Sequence, residues 1–223
     1  MTRRRRTIRQ HDLEFRTWGG ARKGAGRKRS SPRSRVPHAA RPVHDARAPL
    51  HVTLRLRKGL PSLRRNVIRA QVLGALGDGR ERFGFRLNQF SLQSNHLHLI
   101  VEAQDRRALS RGMKGIAVRI ARTLNQVWER RGSVFSDRFH ARALRTPREV
   151  RSALVYVLQN ARHHGLRLMG VDPYSSGPWF DGWRQGIVLA DDGPGTRART
   201  WLLREGWRRH GLIGIQESPR SSR

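Results

Sequence analysis

Asn95-His96-Leu97-His98-Leu99-Ile100-Val101 is the stretch on which the reading of this chain turns. Successive side chains of a strand leave opposite faces, so His96 and His98 share one face while Leu97 and Leu99 take the other. Two neutral imidazoles one strand repeat apart can chelate a single divalent cation. Strand histidines also occur as satisfied core or surface residues, so the pair needs partners from elsewhere in the chain before it implies chemistry.

Working outward, residues 83–92 form a second apolar run, and the short link Gln93-Ser94-Asn95 joins it to the strand over 95–103 as a hairpin. Upstream, Val52, Leu54 and Leu56 alternate with Thr53, Arg55 and Arg57, the period of a half-buried strand. Pro61-Ser62 then opens a helix with Leu63, Val67, Ile68, Val72 and Leu76 on its apolar stripe, closed by the turn Gly77-Asp78-Gly79. Downstream, Met113, Ile116, Ile120, Leu124 and Val127 define a second helix over 109–131, and a weaker strand spans 134–144. Thr146-Pro147 starts a third helix that stops at Gly165. The order strand, helix, strand, strand, helix, strand, helix predicts an α+β fold, a ferredoxin-like antiparallel sheet with helices on one face. Many unrelated functions use that architecture, so it does not fix chemistry.

Composition narrows the partner. The 223 residues carry 47 Lys and Arg against 16 Asp and Glu, a formal charge of +31. A chain so charged repels itself unless a polyanion is at hand, and an arginine excess suits phosphate better than a membrane surface. Cysteine is absent, which excludes disulfides, thiolate metal sites and a cysteine nucleophile. No apolar run reaches the roughly 18 residues of a membrane span. The expected setting is the cytoplasm, beside the nucleoid, with no membrane partner. Three regions are expected: a flexible basic arm over 1–48, a folded domain over 49–168 and a C-terminal tail over 169–223 with a short helix. Within the arm, Arg22, Lys23, Arg27 and Lys28 are candidate phosphate contacts, although a mere solubilising tail reads the same way.

The third helix brings a partner for the histidines. Val150, Ala153, Leu154, Val157, Leu158 and Ala161 form its core stripe, and Tyr156 and Asn160 fall one turn apart on its flank. A tyrosine at the edge of a core and an asparagine near a helix end would look the same. The coincidence with the strand pair is what favours a site.

His96-Leu97-His98 matches the histidine-hydrophobic-histidine signature of HUH nucleases, and Tyr156-Val157-Leu158-Gln159-Asn160 resembles the tyrosine helix of single-tyrosine transposases with an IS200-like domain, above all the REP-associated tyrosine transposases. The resemblance implies that His96, His98 and Asn160 hold a divalent metal, Mg²⁺ or Mn²⁺, and that Tyr156 is the nucleophile. It implies single-stranded or hairpin DNA as substrate, cut and rejoined through a 5′-phosphotyrosine, and leaves room for a homodimer in which the tyrosine serves either subunit. Asp137-Arg138-Phe139-His140 resembles a basic family segment, which makes Arg138 a phosphate contact. The chain departs from the family after Asn160, where Pro is common and this sequence reads Ala161-Arg162-His163-His164-Gly165. His140, His163 and His164 are further candidates for auxiliary acids. The alternatives are a domesticated, catalytically silent binder of hairpin DNA or RNA, an RNA-binding protein displaying Phe83, Phe85 and Phe90 on its central strands, and a metal hydrolase that uses the same ligands with water as nucleophile.

Overall fold

A computed structural model of the chain describes residues 45–163 and 165–219. Arg22, Lys23, Arg27, Lys28 and His164 lie outside the described residues. Five strands, β1 (Leu50–Arg55), β2 (Glu81–Arg82), β3 (Phe85–Leu92), β4 (His96–Ala103) and β5 (His140–Ala143), form one antiparallel sheet in the order β2-β3-β4-β1-β5. The helices are α1 (Asn66–Gly77), α2 (Arg106–Val127), α3 (Pro147–Leu158), α4 (Asn160–His163) and α5 (Trp201–Arg204), with 3₁₀ turns at Gly177–Trp179 and Gly206–His210. No helix among the described residues is long and apolar enough to cross a membrane.

Alternation along the central strands sorts their side chains into two kinds of face. Leu97, Leu99 and Val101 of β4 join Val52 and Leu54 of β1 beneath α1 and α2, where all are buried. On β3 the register slips between Leu87 and Gln89. This bulge at Asn88 keeps Phe85 and Leu87 on the same face as Phe90 and Leu92, which strict alternation would have split. The opposite face carries His51, Thr53, His96, His98 and Ile100, and here α3 packs, joined in a second apolar cluster by Phe180, Trp183, Leu203, Trp207 and Ile213. The antiparallel α+β sheet is therefore as expected. Its helices divide, α1 and α2 covering one face and α3 the other.

Several boundaries move for identifiable reasons. Leu63 does not enter a helix: its N–H donates to the Ser94 carbonyl at 3.0 Å, and Arg64 makes a two-point pair with the buried Asp172 carboxylate, both bonds 2.9 Å. Those tertiary bonds hold the segment extended, so α1 starts at Asn66 and Val67, expected in the core, is 70% exposed. The second helix begins earlier than its apolar stripe because Asp105 caps it, its carboxylate accepting the Ala108 N–H at 2.7 Å. Phe83 leaves the strand. It and Gly84 take φ values of 50° and 76° in the two-residue turn joining β2 to β3, the geometry of a primed hairpin turn. The weak strand over 134–144 shortens to β5, preceded by a single bridge between Leu56 and Phe135.

The third helix starts as its sequence predicts. Thr146 accepts the Glu149 N–H while Glu149 accepts the Thr146 N–H, a complete capping box with Pro147 in the first turn. Beyond β2, which pairs only with its first two residues, β3 is covered by the C-terminal segment. Leu92 donates to the Tyr174 carbonyl at 2.7 Å, Ser176 to Phe90 at 2.9 Å and Thr196 to Leu87 at 2.7 Å.

α2 comes close against the sheet at Gly112, where an added methyl would overlap the buried Phe85 ring. Gly115, one turn on, faces only the flexible end of Arg119 at 3.1 Å. Gly112→Ala should therefore lower the urea midpoint despite alanine's better helix propensity, by about 1–3 kcal/mol of overpacking, whereas Gly115→Ala should be neutral or stabilise by up to about 1 kcal/mol. Equal shifts for the two variants would contradict this packing.

Candidate active site

β4 delivers its two histidines side by side. Their ring centres are 4.6 Å apart and nearly perpendicular, and Nε2 of His96 lies 2.9 Å from Nε2 of His98. Each ring is also held by its other nitrogen. Nδ1 of His96 meets the Asn95 side-chain oxygen at 2.7 Å, and Nδ1 of His98 meets both Thr53 Oγ1 and His51 Nε2 at 3.2 Å. The antiparallel register sets this up, since Thr53 sits opposite His98 and His51 two residues along on the same face. The two Nε2 atoms thus converge on one point, an arrangement a divalent cation could occupy.

The third helix places Tyr156 over this cluster. Its ring centre is 5.0 Å from that of His98, 5.7 Å from His51 and 6.0 Å from His163, with edge-on contacts to the first two. His96, His98 and Tyr156, separated by 60 residues of chain at the extremes, are brought together as the sequence predicts. Asn160 follows one turn later. The helix breaks at Gln159, whose buried side chain donates to the carbonyls of Gly214 (3.2 Å) and Ile215 (2.8 Å), and Asn160 opens α4. Asn160 is fully buried, and neither its amide oxygen nor its nitrogen has a hydrogen-bond partner among the described residues. An unsatisfied buried amide is costly and calls for an explanation. By donor type, an amide oxygen and two imidazole nitrogens suit a hard or borderline divalent cation.

A cleft of about 590 Å³ opens beside Tyr156 and is lined by His51, Arg142, Arg148, Arg151, His163 and His210 among others. Arg151 is paired with Glu217 at 2.7 and 2.9 Å and Arg142 with Glu149 at 3.3 Å, and Arg148 lines the same opening. These cations, and His51, escaped the sequence reading. Arg142 and His51 belong to strands paired with each other, so the period of the two strands held the signal, but only after their register was known. Arg138 lies on the exposed connection before β5 and is not among the residues that line the cleft. His140 is exposed on β5, opposite Thr53. Of the three aromatics an RNA-binding surface would display, Phe85 and Phe90 are fully buried and Phe83 stands exposed in the turn between β2 and β3.

The family model for IS200-like transposases matches residues 48–159, from the edge of β1 through the end of α3. The chain belongs to the IS200-like transposase family. The match spans His96, His98 and Tyr156 and ends one residue before Asn160. Among solved structures, this IS200-like transposase is similar to a REP-associated tyrosine transposase determined bound to a REP hairpin, at 17% identity and a TM-score of 0.53, over 74% of this chain and 99% of that one. At that identity the likeness is one of fold. No curated protein matches the transposase.

Two outcomes follow from the burial of these groups. Burial, reinforced by the nearby Arg142 and His140, pulls the His51 imidazole from its ordinary 6.5 down to about 4. The folded chain then binds this proton less readily than the unfolded one, so stability contributed by neutral His51 is present above about pH 6.5 and is lost as pH falls towards 4. Denaturation of metal-free protein across that window should show the loss, and His51→Phe should flatten it. Asn160→Leu should leave metal-free protein as stable as wild type or stabilise it by about 1–3 kcal/mol, because two desolvated polar atoms vanish. A marked loss of thermal stability would mean that the amide is satisfied in the protein.

Proposed function

We propose that this transposase cuts and rejoins single-stranded DNA next to a hairpin, with Tyr156 as nucleophile. The observation that carries the reading is the convergence of Tyr156 on the His96–His98 pair within one chain. The structural relative bound to a REP hairpin supports a hairpin as the DNA partner.

In this reading the strand lies in the cleft, with its phosphates against Arg142 and Arg148. A phosphate in that position faces the Tyr156 hydroxyl, whose ring is held edge-on by His98 and His51 and so has little freedom to turn away. Attack forms a bond from the phenolic oxygen to phosphorus and breaks the bond from phosphorus to the 3′ oxygen. The phenol proton is released to water in the open cleft, and the departing oxygen takes up a proton to leave as a free 3′-OH. The 5′ end stays on the tyrosine as a phosphodiester, so its bond energy is kept and a second 3′-OH can reverse the step without a nucleotide cofactor. His96, His98 and Asn160 would hold Mg²⁺ or Mn²⁺, and when bound the cation would supply positive charge to the oxygens of the scissile phosphate. Imidazole ligation favours Mn²⁺ of the two.

One chain assembles the tyrosine with the histidines, which supports action in cis. Arg138 would contribute a phosphate contact outside the cleft, and Arg22, Lys23, Arg27 and Lys28 would contribute further phosphate contacts.

The test is covalent capture. Purified protein incubated with Mn²⁺ and labelled hairpin DNA bearing single-stranded flanks, taken from beside its own gene, should give a protein–DNA adduct that survives denaturant. Tyr156→Phe and metal chelation should each abolish it, a loss of at least about 10³-fold as expected when the nucleophile itself is removed. Tight hairpin binding without an adduct would instead establish a catalytically silent binder, and metal-dependent cleavage without an adduct would establish water as nucleophile.

A further inference from the structure

We infer that His51 is a positioning residue that sets which nitrogen of His98 is free to bind the cation, an inference that rests on the metal reading above. A histidine can ligate through Nε2 only if its proton sits on Nδ1, and that choice is fixed by what Nδ1 meets. For His96 the question is settled locally: Nδ1 faces the Asn95 side-chain oxygen at 2.7 Å, an acceptor. For His98 it is not. Its Nδ1 faces the hydroxyl of Thr53 at 3.2 Å, and a hydroxyl rotates to donate or accept with equal ease.

The second group at that nitrogen is Nε2 of His51, also at 3.2 Å. A cation on His98 Nε2 would need the His98 proton on Nδ1, and His51 in its Nδ1-protonated form would then present a lone pair to that proton from a ring packed against Tyr156. Its ring is fixed for this purpose on two sides. The β1–β4 register sets its backbone opposite Ile100 on the histidine face, and Tyr156 packs edge-on against it at 5.7 Å. The same ring therefore touches the nucleophile and one of the two imidazole ligands.

The experiment measures Mn²⁺ affinity directly, by calorimetry on full-length protein without DNA, for wild type, His51→Phe, His51→Gln and His98→Ala. Thermal melting in chelator shows that each variant is folded. A glutamine can return a carbonyl oxygen to the same place, whereas phenylalanine fills the space and offers no acceptor. His51→Phe should weaken Mn²⁺ by about 10–100-fold, the usual cost of losing a partner behind a metal-bound histidine, and His51→Gln should recover most of that loss. Long-range ¹H–¹⁵N spectra of protein saturated with diamagnetic Mg²⁺ should show His98 protonated at Nδ1 in wild type and mixed in His51→Phe. Wild-type affinity in His51→Phe, or an equal loss in His51→Gln, overturns the inference while leaving the metal reading intact. If wild type binds no Mn²⁺, or His98→Ala binds it as well as wild type, the metal reading falls and takes the inference with it.

Discussion

Everything at the candidate site depends on the two-residue period of the pleat at the β1–β4 pair. Pairing Thr53 with His98 puts His51, Thr53, His96 and His98 on one side of the sheet and Val52, Leu54, Leu97 and Leu99 on the other. A slip of one residue in either strand would bury histidines beneath α1 and α2 and expose leucines where DNA is proposed to lie. The apolar core and the polar cluster are two sides of a single registration, so the hydrophobic effect that drives the fold also locates the chemistry. The bulge at Asn88 serves the same end on β3, restoring the phase of its apolar residues without disturbing β4.

A polar sheet face needs a cover, and the cover is where cost is concentrated. The third helix brings an apolar stripe to Ile100 and the C-terminal tryptophans, yet it also carries Tyr156 in among three histidines and leads into a buried amide with no partner among the described residues. Arg151 and Gln159 anchor this helix to the segment 211–217 through carbonyl and carboxylate bonds. Such anchoring lets the protein tolerate an unsatisfied group at Asn160, in keeping with the pattern that functional sites hold local costs offset by their surroundings.

The sequence made the sheet legible wherever a strand is stabilised by its own alternation, as at β1 and β4, and made a helix start legible where local residues mark it, as at Thr146-Pro147. It misled where distant groups decide. Leu63 and Arg64 have helical spacing but are held extended by Ser94 and Asp172, the latter 108 residues away in the chain. His51 reads as an ordinary polar position on a strand, and only its pairing with a residue 47 positions on reveals a second imidazole behind His98. The tyrosine and the paired histidines were visible because their spacing is local. The arginines of the cleft were not, since a chain with 47 cations offers no local reason to choose Arg142 and Arg148 over the rest.

The C-terminal segment has a bearing on how this protein can be handled and how its gene can be trimmed by evolution. Beyond its two residues paired with β2, β3 would offer bare backbone donors and acceptors along its outer side, and α3 would offer Leu154 and its neighbours, if residues 172–213 were removed. An open strand edge beside a bare apolar helix is a template for intermolecular sheet growth. A fragment cut to the limits of the family match would therefore keep every proposed reactive side chain except Asn160 and still be prone to self-association, so the sequence beyond that match is bound up with solubility as much as with catalysis.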